Sequence, residues 1–409
     1  MRLPASQRKD DVMSTPHLLF ALLAVGIAAP AWSQQADPFA TPAGKCDPAI
    51  GQCVSTIVFS SACNDPNTCL RRAEIFRIST DNHGTPFADT LMRLTENEIG
   101  VNGLFAGNVL AKLSPHGKWI VFDSNRDRAA AEPINTSDLF WMKADGKDQT
   151  RLTRGSSASW SPNGKYLAFH RSASNNVCPP APRPPGIRGC PIRIDPGAAT
   201  WDSDIFVMRV PDSDDLVIEA PINITNTLNY IESDADWSPD GQKILFTRHS
   251  TVTTNTNNFP DAEICVLDLE TPDLGPACYL GVGDNNFEEE RGPAWSPDGT
   301  QIAYMCRRGE PANPPPAAQL PTFEICVMTA AGTDQKRLTV NLVLDGTPTW
   351  SPDGQKIVFA RGATDRAQLW LMNADGTDQT LLEIPAVPSN DSLTVNLFAS
   401  WGQLWVGGR

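Results

Sequence analysis

The residues of this chain best suited to binding chemistry recur at one spacing. Five positions ahead of Leu113, Trp160, Trp237, Trp295, Trp350 and Trp401 stand Asn108, Gly155, Glu232, Glu290, Asp345 and Asn396. Further carboxylates crowd two of these points: Asp234 and Asp236 follow Glu232, and Glu288 and Glu289 precede Glu290. If the loops that carry them converge, the carboxylates concentrate negative potential. That suits a Ca²⁺ or Mg²⁺ ion, or a peptide bearing Lys or Arg. A solvated acidic rim without a ligand fits the same residues, and Arg291 would neutralise part of it. No cofactor is required by this reading. His83, His116, His170 and His249 are scattered, with His116 in a turn and His170 and His249 at strand ends, so none is expected to be catalytic.

The second set of chemically able residues is the cysteines: Cys46, Cys53, Cys63, Cys69, Cys178, Cys190, Cys265, Cys278, Cys306 and Cys326. An even number suggests disulfides if the chain leaves the cytosol, where thiols are kept reduced. Zinc is the competing reading, but no Cys-x-x-Cys pair occurs and the His residues are dispersed. Connectivity is not fixed by the sequence. Pairing of neighbours is the economical choice, although Cys265 and Cys326 occupy the same repeat position and a link between repeats is conceivable.

The N-terminus supports export. Arg2, Arg8 and Lys9 precede an apolar run from Leu18 to Ala31, followed by the small-x-small site Ala31-Trp32-Ser33. This order reads as a signal peptide over residues 1–33, with Met13 as an alternative start, and the run is too short to span a bilayer. Residues 34–55 form an N-terminal segment with Cys46 and Cys53, and no transmembrane span is expected. The formal net charge is −14. An acidic surface repels phosphate backbones, which argues against nucleic acid as a partner.

The elements that position these residues follow from an internal repeat. Trp-Ser-Pro-Asp-Gly, or Asn for Asp, occurs at Trp160–Gly164, Trp237–Gly241, Trp295–Gly299 and Trp350–Gly354, with a weaker copy at Leu113–Gly117 and a degenerate one at Ala399–Gln403. Pro presets φ at a turn, Asp or Asn favours the next corner, and Gly accepts the positive φ that closes it. Alternating strands follow, such as Lys356–Arg361 and Lys243–Arg248, and then third strands such as Gln368–Met372. Each unit is a four-stranded meander that cannot bury both faces alone, and radial stacking of several solves this. The expected fold is an all-β, six-bladed β-propeller over residues 56–409, with seven blades as the alternative. N-terminal strands and the C-terminal strand combine in a composite blade.

These units resemble the WD-like repeats of the TolB family, from the periplasmic part of the Tol–Pal envelope system, and those of prolyl-oligopeptidase-type peptidases. The likeness runs from about Thr56 to Trp405. TolB carries an α/β domain ahead of its propeller, where this chain has a short segment after Gln34. Five disulfides would also be unusual for TolB. No Gly-x-Ser-x-Gly element of a peptidase domain is present. The resemblance therefore implies a propeller-only relative, periplasmic or secreted and monomeric, acting as a non-catalytic scaffold. It would bind a protein or peptide, envelope proteins included, at the acidic channel mouth. The alternative is a metal-dependent lyase or hydrolase with its site in the central channel.

Overall fold

A computed structural model of the chain describes residues 52–63, 73–81, 83–96, 107–129, 137–172, 203–211, 218–227, 230–250, 262–272, 275–279, 289–307, 323–362, 367–385 and 394–406. The expected signal peptide, Cys46, Cys69, Cys178, Cys190 and Glu288 lie outside them.

Each repeat opens with an innermost strand that ends on or runs past the Trp position: β4 (Asn108–Leu113), β8 (Ser156–Trp160), β12 (Tyr230–Trp237), β16 (Glu289–Trp295), β20 (Asp345–Trp350) and β24 (Thr394–Val406). The Ser-Pro-Asp-Gly turn that follows is held by its own side chains. Ser238 Oγ donates to Asp240 Oδ1 at 2.5 Å and accepts the Lys243 amide at 2.9 Å, and Asp240 Oδ1 accepts the Gln242 amide at 3.0 Å. Gly241 sits at φ 75°, which side chains with a Cβ resist. In the weak copy His116 replaces the Asp, and its Nδ1 meets Ser114 Oγ at 2.9 Å. The expectation of a turn role for His116 holds.

Second strands follow as β5 (Trp119–Ser124), β9 (Tyr166–Ser172), β13 (Lys243–Ser250), β17 (Gln301–Arg307) and β21 (Lys356–Arg361). Third strands are β6 (Asp138–Lys143), β10 (Ser203–Arg209), β14 (Ala262–Asp268), β18 (Glu324–Thr329) and β22 (Gln368–Asn373). Outer strands are β7 (Thr150–Arg154), β11 (Ile222–Asn223), β15 (Ala277–Tyr279), β19 (Lys336–Arg337) and β23 (Thr380–Leu381). The N-terminal β1 (Gln52–Cys63), β2 (Ala73–Thr80) and β3 (Met92–Arg93) pair with β24 in the order β24-β1-β2-β3, so the two ends of the chain share one blade.

The fold is an all-β propeller arrangement, but six or seven separate blades are not what the hydrogen bonding gives. Four four-stranded sheets stand apart, and β8 to β15 join in a single eight-stranded sheet. The cause is local. Ser203 at the start of β10 forms a parallel bridge with Ile231 of β12, and its Oγ donates to the Glu232 carbonyl at 2.7 Å. The innermost strands touch in the cyclic order β24, β4, β8, β12, β16, β20 and back to β24.

The core lies between neighbouring sheets, where the Trp side chains act as spacers. Trp160 packs with Val121, Leu139 and Trp141 on one side and Leu167 and Phe169 on the other. Its Nε1 donates to the Lys112 carbonyl at 3.0 Å, and Trp350 does likewise to Ala294 at 3.2 Å. A buried Trp contributes large area, and these two also satisfy their one polar atom. Among the described residues two disulfides form, Cys265–Cys278 across β14 and β15, and Cys306–Cys326 across β17 and β18. Each pairs neighbours within one repeat and none described links repeats. The Cys53 and Cys63 side chains lie outside the described residues.

Candidate functional site

Residues at the start of the innermost strands are buried, which alters the expected acidic mouth. Asn108, Glu232 and Asp345 are 0% exposed and Glu290 is 2% exposed. In three repeats an Arg on or just after the second strand meets this position. Arg361 Nε donates to Asp345 Oδ1 at 2.7 Å and its Nη2 to Oδ2 at 2.8 Å. Arg248 donates through Nε and Nη2 to Glu232 Oε1 at 3.1 and 2.9 Å, and Arg126 Nη2 donates to Asn108 Oδ1 at 3.0 Å. The guanidiniums lie 4.6 Å from the ring centroids of Trp370, Tyr230 and Phe140 respectively. These are buried clasps between adjacent strands. Burial pushes the Glu232 carboxyl up, and Arg248 pulls it back. The sequence carries a signal for these clasps, since Arg248 and Arg361 recur at the same place in their repeats. Asn396 lies in β24 opposite Ser61, and nothing is described of its side chain.

A different position is set apart by its backbone. Each innermost strand is bulged, with a register shift between Val109 and Lys112, Ser156 and Ser159, Ser233 and Asp236, Arg291 and Ala294, or Gly346 and Thr349. The residue three before each repeat anchor takes positive φ: Leu110 56°, Ser157 58°, Asp234 55°, Gly292 55°, Thr347 50° and Phe398 52°. Such values cost residues with a Cβ energy that the surrounding pairing must supply, and a bulge re-aims the side chain.

Asp234, an expected site residue, is thereby brought into a polar group on one arc of the channel. Ser157 Oγ of β8 donates to Asp234 Oδ1 at 3.1 Å, and Ser233 Oγ donates to Oδ2 at 3.0 Å. The Ser157 amide donates to both oxygens of Asp123, at 3.2 and 3.1 Å, and Ser156 Oγ donates to Asp123 Oδ2. Asp236 ties four innermost strands together. Its Oδ1 accepts from Ser159 Oγ at 2.9 Å and Lys112 Nζ at 3.4 Å, and its Oδ2 accepts the Trp295 amide at 3.0 Å.

Histidines complete this arc, contrary to the expectation that they stand apart. His170 pairs in register with Ser156, and its Nδ1 is buried without a hydrogen-bond partner. His249 is 8% exposed. Burial pushes both imidazoles down, His249 to about 4, with the Arg291 charge pushing the same way and Asp234 opposing. Burial raises the Asp123 carboxyl to about 7, aided by the Asp234 charge. At neutral pH both imidazoles are therefore uncharged, and Asp123 is divided between its two forms. The equivalent positions on the remaining innermost strands are Leu110, Gly292, Thr347 and Phe398. Among the described residues, the one close grouping of three metal-ligating side chains is Glu263, Cys265 and Cys278, whose sulfurs are joined in a disulfide.

No family model matches the sequence, and no curated protein matches it. Solved structures do. TolB from Acinetobacter baumannii is similar at a TM-score of 0.56 and 17% identity, over 85% of this chain and 66% of that one. The hydrazine synthase of Kuenenia stuttgartiensis gives a TM-score of 0.56 at 12% identity, over 88% of this chain and 48% of that one. A chain of the nidogen/laminin complex gives 0.52 at 9% identity, over 85% of this chain and 98% of that one. The chain thus spans just under two thirds of that TolB and about half of the hydrazine synthase chain. At such identities the likeness establishes architecture, and the architecture is the TolB-type β-propeller.

Proposed function

We propose that this chain is an exported, non-catalytic propeller scaffold that binds a protein or peptide segment in its channel. The eight-stranded sheet acts as two adjoining blades, which makes six blades around that channel. The observation that carries this reading is the Asp234 cluster. Serines of β8, carboxylates of β12 and Arg291 of β16 meet on one arc, across from Leu110 and Phe398. A polar arc facing an apolar one matches a polypeptide, which presents amides and aliphatic groups together. Disulfides fit the oxidising compartment that export implies.

The test is affinity capture from envelope extract with the full chain, using Asp234→Asn and Thr347→Arg as channel variants. Asp353→Asn, in a hairpin turn, serves as the control. The expected result is a protein retained by the unaltered chain and the control and released from both channel variants. Equal retention by all four proteins would place the binding surface elsewhere.

A further inference from the structure

Beyond the channel, we propose that the outer edge of the last repeat, strand β23, is a docking site for an extended, basic and apolar peptide segment of a partner. Outer strands of a propeller leave one edge unpaired, and charges commonly protect such edges from pairing with other chains. Here β3 ends in Arg93, β7 carries Arg151 and Arg154, and β19 is Lys336-Arg337. The β15 strand is tied to its neighbour by the Cys265–Cys278 disulfide. Three outer strands, β11, β15 and β23, carry no charge; Ile222, Asn223, Cys278 and Tyr279 are partly buried, whereas both residues of β23 are exposed, Leu381 by 40%. It pairs only with β22 among the described residues.

This edge also borders a groove of about 760 Å³ between the last repeat and the composite blade. That volume falls in the range of functional ligand clefts. Leu371, Leu382, Ile384 and Pro86 contribute apolar surface to the groove. Both walls are preformed turns. On one side Asp81 Oδ1 accepts the amides of His83 and Thr85 at 2.8 and 2.7 Å. A Cβ at Gly84 would come within 2.8 Å of Leu371 Cδ2, so that turn is seated against the last repeat. On the other side Asp378, which lines the groove, accepts from Asn373 Nδ2 at 2.7 Å in the turn ahead of β23.

Together the edge and groove fit β-strand addition, in which main-chain hydrogen bonds give affinity and a groove reads alternate side chains. The charge preference follows from Asp378 and Glu383 at the groove. Lys356 also lines the groove, its ammonium donating to Asn373 Oδ1 at 3.0 Å, so the two carboxylates leave one negative charge in excess there, on a chain that carries −14 as a whole.

The test uses the full oxidised chain and a fluorescein-labelled peptide of sequence Arg-Thr-Val-Thr-Val-Thr, followed by fluorescence anisotropy. N-methylating the two Val amides, replacing the peptide Arg by Glu, Leu381→Lys and Ala88→Arg should each weaken binding about tenfold or more. Both protein substitutions are at exposed sites, and thermal melts confirm that the variants fold. The channel variant Asp234→Asn should bind the peptide as the unaltered chain does, so this site and the channel reading fail independently. Three results would overturn the proposal. The peptide fails to bind the unaltered chain, or it binds equally after N-methylation or Leu381→Lys. In the third, the unaltered chain sediments as a dimer that Leu381→Lys dissolves, which would assign the edge to a second copy.

Discussion

Asp123 and His249 carry opposite protonation consequences. The folded chain keeps the Asp123 proton up to about pH 7, whereas an unfolded Asp releases it near 3.8. Its contribution to stability is therefore full below pH 3.8 and is lost as pH rises through 7. His249 behaves in reverse, lowered from 6.5 to about 4, so its contribution is full above 6.5 and is lost as pH falls toward 4. Between pH 4 and 6.5 the two slopes oppose one another, each about 1.4 kcal/mol per pH unit. Relative to the unaltered chain, Asp123→Asn should gain stability as pH rises through that window. His249→Gln should lose it over the same range. Thermal midpoints of the disulfide-intact proteins at several pH values check this, and three parallel curves would show that the two groups are not coupled to folding in this way. Of this cluster, Asp234 was legible in the sequence because it stands in a run of carboxylates. Asp123, His170 and His249 were not, since they lie on second strands: the histidines reach the arc through register with β8 and β12, and Asp123, paired with β4, through contact with the serines of the next repeat.

Strand pairs explain why acidic residues at equivalent places became clasps. The start of β20 faces the end of β21, so Asp345 and Arg361 are direct cross-strand partners, as are Glu232 and Arg248. Arg361→Ala would leave a fully buried carboxylate without its cation, which costs about 3–5 kcal/mol. Replacing both, Asp345→Leu with Arg361→Leu, should recover most of that loss, because two desolvated charges disappear together. An exposed pair such as Lys147 with Asp145 should contribute about 0–1 kcal/mol when broken by Lys147→Ala. Urea titrations of the three variants test this, and equal losses for Arg361→Ala and Lys147→Ala would refute a buried clasp. The hairpins were readable from sequence because their hydrogen bonds run between residues at most five apart, as in Ser238 to Lys243. The merging of β8 to β15 was not, because it rests on contact between Ser203 and Ile231 across a long, variable connection.

At the scale of the ring, covalent and non-covalent devices do different jobs. Both described disulfides close short loops inside one repeat, with sequence separations of 13 and 20. They limit the unfolded chain, by about 3 kcal/mol each on loop-entropy grounds, but hold no two repeats together. Closure belongs to β24, which pairs with β1 from Gln52–Val406 to Cys63–Thr394. Trp401 wedges between Ile57 and Phe59 of one repeat and Val358 and Leu369 of the next, and its Nε1 donates to Ser55 Oγ at 2.7 Å. Reduction of the disulfides should therefore lower the melting temperature without changing the oligomeric state of the chain. Trp401→Ala should cost about 3–5 kcal/mol, from the lost packing and the cavity it leaves. Truncation before Thr394 should do worse, since it bares the 12-residue edge of β1 to other chains. Light scattering after size exclusion separates these cases. A truncated chain that stays monomeric and melts like the intact one would mean that the ring does not depend on β24, and that stacking between neighbouring repeats suffices to hold it shut.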